Sequence, residues 1–196
     1  MPQNPAQPRR RDAAATRAAL LKAAGELFAE RGYDRTTVRD IAARAGVNQA
    51  LLFRYFGTKE ELFNAVVASR GMDLLNAGPV AELPRRLLEV FLTDTPEGVD
   101  HPIQAMLRSA ALGSESSALR KEMGRAYVRS LAELASGPDA ELRAELALAW
   151  LVGIGFCRSV LGSDVLLAAD SERVISHVRQ GISALLEEPD ATRSRS

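Results

Sequence analysis

Apolar residues recur three and four positions apart along almost the whole chain, and this spacing strongly constrains what the chain can fold into. An α-helix repeats about every 3.6 residues, so the spacing is typical of amphipathic helices. No segment alternates apolar and polar residues over strand length. The sequence therefore predicts an all-α fold of about nine helices. Caps and glycine or proline breaks place them at about 12–31, 37–44, 48–56, 58–75, 80–93, 102–112, 115–135, 138–161 and 171–187.

The order of these helices predicts a small N-terminal head on a larger helical body, which a chain of 196 residues can accommodate. Charge divides in the same way. Residues 1–70 hold 12 Arg and Lys against 7 Asp and Glu, a net charge of +5, and residues 71–196 hold 13 against 18, a net charge of −5. A basic head on an acidic body favours a polyanionic partner for the head. We expect a disordered arm over 1–11, the head over 12–60, the body over 61–188 and a disordered tail over 189–196.

Two short helices joined by a three-residue turn are predicted between residues 37 and 56. Thr37 and Asp40 have the spacing of a capping box, Gly46 permits a tight turn, and Asn48 is placed to cap the second helix. This is the layout of a helix-turn-helix, whose second helix enters the major groove of DNA. Gln49, and Asn48 if it is not occupied as a cap, carry amides that can pair bidentately with adenine.

Several charged and hydroxyl side chains around this unit suit contact with DNA. Arg39 and Arg54 can reach guanine edges or phosphates, although single surface arginines are often only solvated. Lys59 lies at the start of the helix that follows, where backbone N–H groups can hold a phosphate, and Thr37 has the same position one helix earlier. We therefore expect the head to bind double-stranded DNA.

The segment from Thr36 to Phe63 resembles the head of the tetracycline-repressor (TetR) family, and the resemblance extends back to Leu20. Three runs carry it, in family order and spacing: Thr-Val-x-Asp-Ile-Ala, then Ala-Gly-Val, then Tyr-Phe-x-x-Lys-Glu-x-Leu. The resemblance implies DNA contacts at Thr37, Arg39, Gln49, Ala50, Leu51, Phe53, Tyr55 and Lys59. Three of these depart from the family pattern, with Phe53 for tyrosine, Leu51 for a small or hydroxyl residue and Ala50 for glycine. For Phe53 and Tyr55, a purely structural role in the core is the alternative.

The resemblance also implies a regulator of transcription, most simply a repressor that binds a palindromic operator as a homodimer and is released by a small molecule. The last two long helices would form the dimer, and their apolar residues are the candidates for its interface: Ala147, Leu151, Ile154, Val178, Ile182 and Leu185. The alternative is that these residues fill the core of their own protomer. An activator, or a DNA-binding protein without an effector, would share the same head.

An effector pocket is implied by the family, and its candidate lining comes from residues on three body helices: Met106, Arg108, Met123, Tyr127, Trp150 and Phe156. Methionine and aromatic residues at helical spacing are often plain core. Arg108 and Arg158 lie in apolar surroundings and need a partner, which is either a ligand or a carboxylate such as Glu122 or Glu145.

An enzyme is the competing class, and no catalytic motif supports it. The chain lacks a Gly-x-Ser-x-Gly elbow, a His-Glu-x-x-His pair and a phosphate loop, and its two histidines lie in different helices. We expect no catalysis, cofactor or metal site. One cysteine, no secretory signal and no uncharged run longer than Leu146–Cys157 lead us to expect a cytoplasmic protein without a membrane span.

Overall fold

The computed structural model describes the backbone of residues 6–93 and 117–187 and the side chains of 12–93 and 121–187. These residues form nine α-helices, one 3-10 turn and no strand, so the predicted all-α fold is confirmed. The helices are α1 Ala6–Arg31, α2 Val38–Ala45, α3 Gln49–Phe56, α4 Lys59–Asn76, α5 Leu83–Leu92, α6 Ser117–Ala132, α7 Ala140–Ser159, α8 Asp164–Ala168 and α9 Ser171–Leu186. The 3-10 turn Val80–Glu82 precedes α5. Within the described ranges, no helix is both long and apolar enough to cross a membrane.

The structure departs from the predicted elements in two places. Helix α1 begins at Ala6, six residues before the predicted start at residue 12. Pro8 is no obstacle there, because it lies in the first turn, where its missing N–H has no helical acceptor to lose. Helix α8 was not predicted, since five residues are too few to show a helical period. The predicted helix over 102–112 and the tail over 189–196 lie outside the described residues.

Two separate hydrophobic cores hold the described helices together. The head core is built from α1–α4, and its buried members are Leu20, Ala23, Ala24, Leu27, Phe28, Ile41, Leu52, Phe56, Leu62, Phe63, Val66 and Val67. The body core is built from α5, α6, α7 and α9. Because α4 supplies buried residues to the head core, and Leu74 and Leu75 of the same helix pack against the body core, α4 links the two cores.

The end of α4 is fixed to the body by Arg86 of α5. Its guanidinium donates to the carbonyls of Leu74 at 3.2 Å and Leu75 at 3.3 Å, and to those of Gly78 and Pro79 in the following loop. The last four carbonyls of a helix have no partner within it. Arg86 therefore satisfies the C-terminal end of α4 while attaching it to α5.

Candidate nucleic-acid interface

The two helices of the helix-turn-helix are capped as the sequence predicts. The Thr37 hydroxyl accepts from the Asp40 amide at 3.1 Å, and the Asp40 carboxylate accepts from the Thr37 amide at 3.1 Å. The hydrogen bonds from Thr37 hold the pKa of Asp40 below its usual value. Gly46 ends α2 in the left-handed region at φ 67°, and the Asn48 side chain accepts from the Ala50 amide at 2.8 Å. Both the capping box and the Asn48 cap are confirmed.

These caps restrict what two of the predicted contact residues can do. The Thr37 hydroxyl donates to Asp40 Oδ2 at 2.7 Å, and a phosphate can only accept, so a phosphate contact would have to displace Asp40. Asn48 uses its amide oxygen as the cap, which leaves only its NH₂ group for DNA. Bidentate pairing with adenine needs both ends of an amide. Gln49 is therefore the amide on α3 that the capping pattern leaves available for such pairing.

We expect Asn48→Ala to lower the free energy of unfolding by about 1 kcal/mol, the usual cost of losing an N-cap side chain. Asn48→Ser should stay close to the wild type, because its hydroxyl can still accept from the Ala50 amide. Urea denaturation of the two variants checks this. Equal stability of Asn48→Ala and the wild type would contradict the cap.

Packing on α1 fixes which face of α3 points outward. Leu52 of α3 and Ile41 of α2 have no exposed surface, and both lie in the head core. On the opposite face, exposed side chains form the outer surface of α3: Asn48, Gln49, Ala50, Phe53 and Arg54. The Phe53 side chain is 49% exposed, so the alternative of a core aromatic is wrong for it. Leu51 and Tyr55 are half-buried, and Tyr55 packs against the head core.

Arg39 and Lys59 flank this outer face from the neighbouring helices. Arg39 is exposed on α2. Lys59 is half-buried at the first residue of α4, and its Nζ lies 4.1 Å from the centre of the Tyr33 ring. Burial lowers the pKa of Lys59, while the charge of Asp34 opposes this shift. Tyr33 itself packs against Phe63 at 5.0 Å between ring centres, so it is a support for Lys59 that sequence reasoning missed.

The predicted dimer-interface residues are mostly not available to a second copy. Ala147, Leu151, Val178 and Ile182 are at most 5% exposed and form part of the body core, so the protomer presents little of their surface to a second copy. Ile154 and Leu185 are partly buried against the same core. For the four buried residues, this burial favours the alternative that they fill the core of their own protomer, where α7 packs on α5, α6 and α9 at once.

The exposed apolar surface of α7 lies on a different face. Leu142, Leu146 and Trp150 are spaced by four residues and are 56%, 50% and 43% exposed, and we call them the α7 stripe. The Trp150 ring lies against Gly181 of α9, so close that a Cβ at Gly181 would overlap it. The four-residue spacing of these apolar side chains is visible in the sequence. Because α7 is apolar on nearly every side, the spacing alone does not show which face is exposed.

The predicted effector residues do not form one site in the described part of the chain. Met123 and Tyr127 both meet Gly71 of α4, whereas Trp150 belongs to the α7 stripe, so its assignment to the pocket is not supported by its position. Phe156 is half-buried on α7. Met106 and Arg108 lie outside the described residues.

Arg158 has backbone partners where the sequence suggested a carboxylate or a ligand. It is 7% exposed, and its guanidinium donates to the carbonyls of Leu166 at 2.6 Å and Leu92 at 3.2 Å. These bonds join α7 to α8 and to the end of α5. The two carboxylates that the sequence offered as partners, Glu122 and Glu145, are exposed.

A groove of about 670 Å³ lies between α6 and α7 and contains none of the predicted effector residues. Its walls are Lys121, Gly124, Arg125, Val128, Arg129, Glu141, Glu145, Leu148, Ala149 and Val152. Cations stand on the α6 side and carboxylates on the α7 side. Within the described ranges, no three His, Cys, Asp or Glu side chains lie together as metal ligands would.

Comparison with known proteins covers both parts of the chain. Residues 20–66 match the family described as bacterial regulatory proteins, tetR family, and residues 81–186 match the tetracyclin repressor-like C-terminal domain. The HTH-type transcriptional repressor Rv3405c of Mycobacterium tuberculosis is 48% identical over 75 residues, which are 37% of this chain and 40% of that protein. The repressor KstR2 of Rhodococcus jostii is 37% identical over 90 residues, 43% of each protein. The chain thus aligns with less than half the length of these curated relatives.

Solved structures match over most of the chain. The TetR-family regulator SCO0857 from Streptomyces coelicolor is 28% identical, with a TM-score of 0.52, over 88% of this chain and 95% of that one. A TetR-family regulator from Pectobacterium atrosepticum, ECA1819, is 21% identical, with a TM-score of 0.62, over 90% and 95%. At 21% identity, this second match shows a similarity of fold alone.

Proposed function

Because the chain belongs to the TetR family of bacterial regulatory proteins, we propose that it is a transcriptional repressor that binds a palindromic operator as a homodimer and releases it when a small molecule binds. The observation that carries the DNA-binding part is the exposed outer face of α3, where Gln49, Phe53 and Arg54 stand free of the head core. A helix presented in this way can enter a major groove. The family is one of DNA-binding regulators, and an enzymatic role has no support.

Gln49 and Lys59 should have separable roles in binding. Gln49→Ala is expected to weaken binding to the selected operator about tenfold per half-site and to relax base preference, because a bidentate amide pair contributes about 1–3 kcal/mol of discrimination. Lys59→Ala should weaken binding to every DNA sequence by the same factor. It should also reduce the slope of log affinity against log salt concentration by about one per head. Titrations of operator and scrambled duplexes at several salt concentrations measure both. Equal losses from both variants on every duplex would contradict the division.

The proposed dimer uses the α7 stripe and the exposed face of α9 beside it. Contiguous apolar surface is costly in water, and a two-fold axis lets the same stripe on two protomers cover itself. Trp150 already lies against Gly181, so the stripe continues onto α9, where His177 and Ala184 are exposed. A two-fold dimer would present two copies of α3 about one DNA turn, some 34–36 Å, apart.

The proposed switch is a shift between two arrangements of the head and the body. An effector can release DNA only if it binds more tightly to the arrangement in which the two heads are misaligned. Helix α4 is the element that reaches from one core to the other, so it is the natural lever. We favour repression because the relatives Rv3405c and KstR2 are named repressors, although FasR of Mycolicibacterium smegmatis, 44% identical over 62 residues, is named an activator. As a regulator of the chromosome, the protein would act in the cytoplasm.

Selection from a random duplex library with the purified protein, at physiological salt, tests the proposal. Recovery of a palindrome with half-sites one turn apart would support a dimeric, sequence-specific regulator and supply its operator. Recovery of no motif would overturn sequence-specific binding. A compound library screened for release of that operator then separates an effector-controlled regulator from a constitutive one, whose affinity no compound changes.

A further inference from the structure

The body reaches the backbone of α4 at Gly71, at the boundary between the two cores. On one side of it, Val66 and Val67 are buried in the head core, and on the other, Leu74 and Leu75 pack against the body core. Gly71 is buried and has no side chain. A Cβ at this position would overlap the sulfur of Met123 on α6, so the Met123 side chain occupies the space that a side chain at position 71 would need.

One polar contact is made at this crossing. The hydroxyl of Tyr127, one turn after Met123 on α6, donates to the Gly71 carbonyl at 2.7 Å. A carbonyl has two lone pairs, so it can accept this bond in addition to one from its own helix. Tyr127 is 4% exposed, and burial raises the pKa of its hydroxyl to about 12, so the group keeps its proton and remains a donor at neutral pH.

We infer that the hydrogen bond from Tyr127 to Gly71 is the joint through which the body sets the position of α4, which makes Tyr127 a positioning residue for operator binding. This inference rests on the proposed function. It differs from the role of Arg86, whose hydrogen bonds to α4 all lie beyond Gly71 on the body side.

The joint favours two discrete positions of α4 because its polar groups are buried. Helix shifts of about 1–2 Å are typical of switching transitions, and a shift of that size takes a hydrogen bond of 2.7 Å out of range. A buried hydroxyl that has lost its acceptor is destabilised, since water does not replace the partner. The present arrangement, with the bond made, is the one we assign to the operator-binding state.

Tyr127→Phe tests the joint, because it removes the hydroxyl and keeps the ring in the core. The matched control is Ile182→Val on α9, a helix that packs on α5 and α7, where one buried methyl group is lost and the Tyr127 hydroxyl is left in place. We expect Tyr127→Phe to bind the selected operator about fivefold more weakly per half-site than wild type, the equilibrium equivalent of one hydrogen bond in each protomer. Ile182→Val should bind within twofold of wild type. Thermal melts establish that both variants are folded.

A second readout does not depend on DNA. Hydrogen–deuterium exchange of the backbone amides from Gly71 to Asn76 should be about fivefold faster in Tyr127→Phe and unchanged in Ile182→Val. Unchanged exchange in Tyr127→Phe would overturn the joint whatever the DNA result. Faster exchange with wild-type operator affinity would overturn its role in positioning and leave the proposed function intact. If the wild type selects no operator, the proposed function fails and the positioning role fails with it.

Discussion

Leu146→Glu is expected to leave the protomer folded and to raise the dissociation constant of the dimer by at least about a thousandfold. Leu146 is 50% exposed in the protomer, so a glutamate there disturbs neither core. In the proposed dimer the stripe is covered, and an uncompensated buried charge costs about 3–5 kcal/mol. Two-fold symmetry buries the charge twice. About 4 kcal/mol corresponds to a thousandfold in a dissociation constant.

Sedimentation of the variant over a range of concentrations measures this change. Leu161→Glu is the matched control, because Leu161 is 66% exposed just beyond the end of α7 and about 22 Å along the chain direction from Leu146. It should sediment as the wild type does. The same variant set on the selected operator should show loss of two-headed binding in Leu146→Glu only. A Leu146→Glu protein that remains dimeric would place the interface away from the α7 stripe.

Gly155→Ala is expected to destabilise the protein by about 1–3 kcal/mol, the usual range for overpacking a core. A Cβ at Gly155 would stand 2.5 Å from Cδ1 and 2.6 Å from Cγ of Phe91. Phe91 is 1% exposed on α5, so its ring has no free space into which to move. Either α5 and α7 separate or the ring leaves its rotamer, and both responses cost packing energy.

The control is a second glycine-to-alanine substitution, which is expected to raise stability. Gly124 lies within α6, and a Cβ there meets nothing within 4 Å. Gly124→Ala should therefore stabilise the protein by up to about 1 kcal/mol, because alanine is the better helix former. Urea denaturation of the two variants compares them directly. If both substitutions changed stability in the same direction, the close approach of Phe91 to Gly155 would not be the controlling contact.

The head could be predicted closely from local sequence, because its signals act over short distances. The Thr37 and Asp40 capping box, the glycine at position 46 and the cap at Asn48 each depend on residues within four positions, and all three appear in the structure. The outward face of α3 was predictable too, because the apolar Leu52 marks the side that packs into the head core. The sequence left open whether Asn48 is a cap or a DNA contact. The hydrogen bond from the Ala50 amide to the Asn48 side chain shows that it is a cap.

The body illustrates the opposite case. Its longer described helices were predictable from periodicity. Helix α7, however, is apolar on so many sides that the sequence did not distinguish the residues that meet α5, α6 and α9 from those left exposed. Ala147 and Leu151 proved to be core, and Leu146 and Trp150 surface. Arg158 was expected to need a carboxylate or a ligand, and its guanidinium donates to backbone carbonyls of two other helices, a kind of partner that the sequence did not suggest.

The sequence by itself determined the helical class, the caps of the helix-turn-helix and the family, because periodicity, capping and motif spacing are properties of neighbouring residues. Only the tertiary structure decided which face of α7 is exposed, that Arg158 donates to carbonyls of α5 and α8, and that Tyr127 meets Gly71 across 56 positions of the chain. The physical reason is that burial and hydrogen-bond partners between distant helices depend on how whole helices pack, and local spacing does not specify that packing.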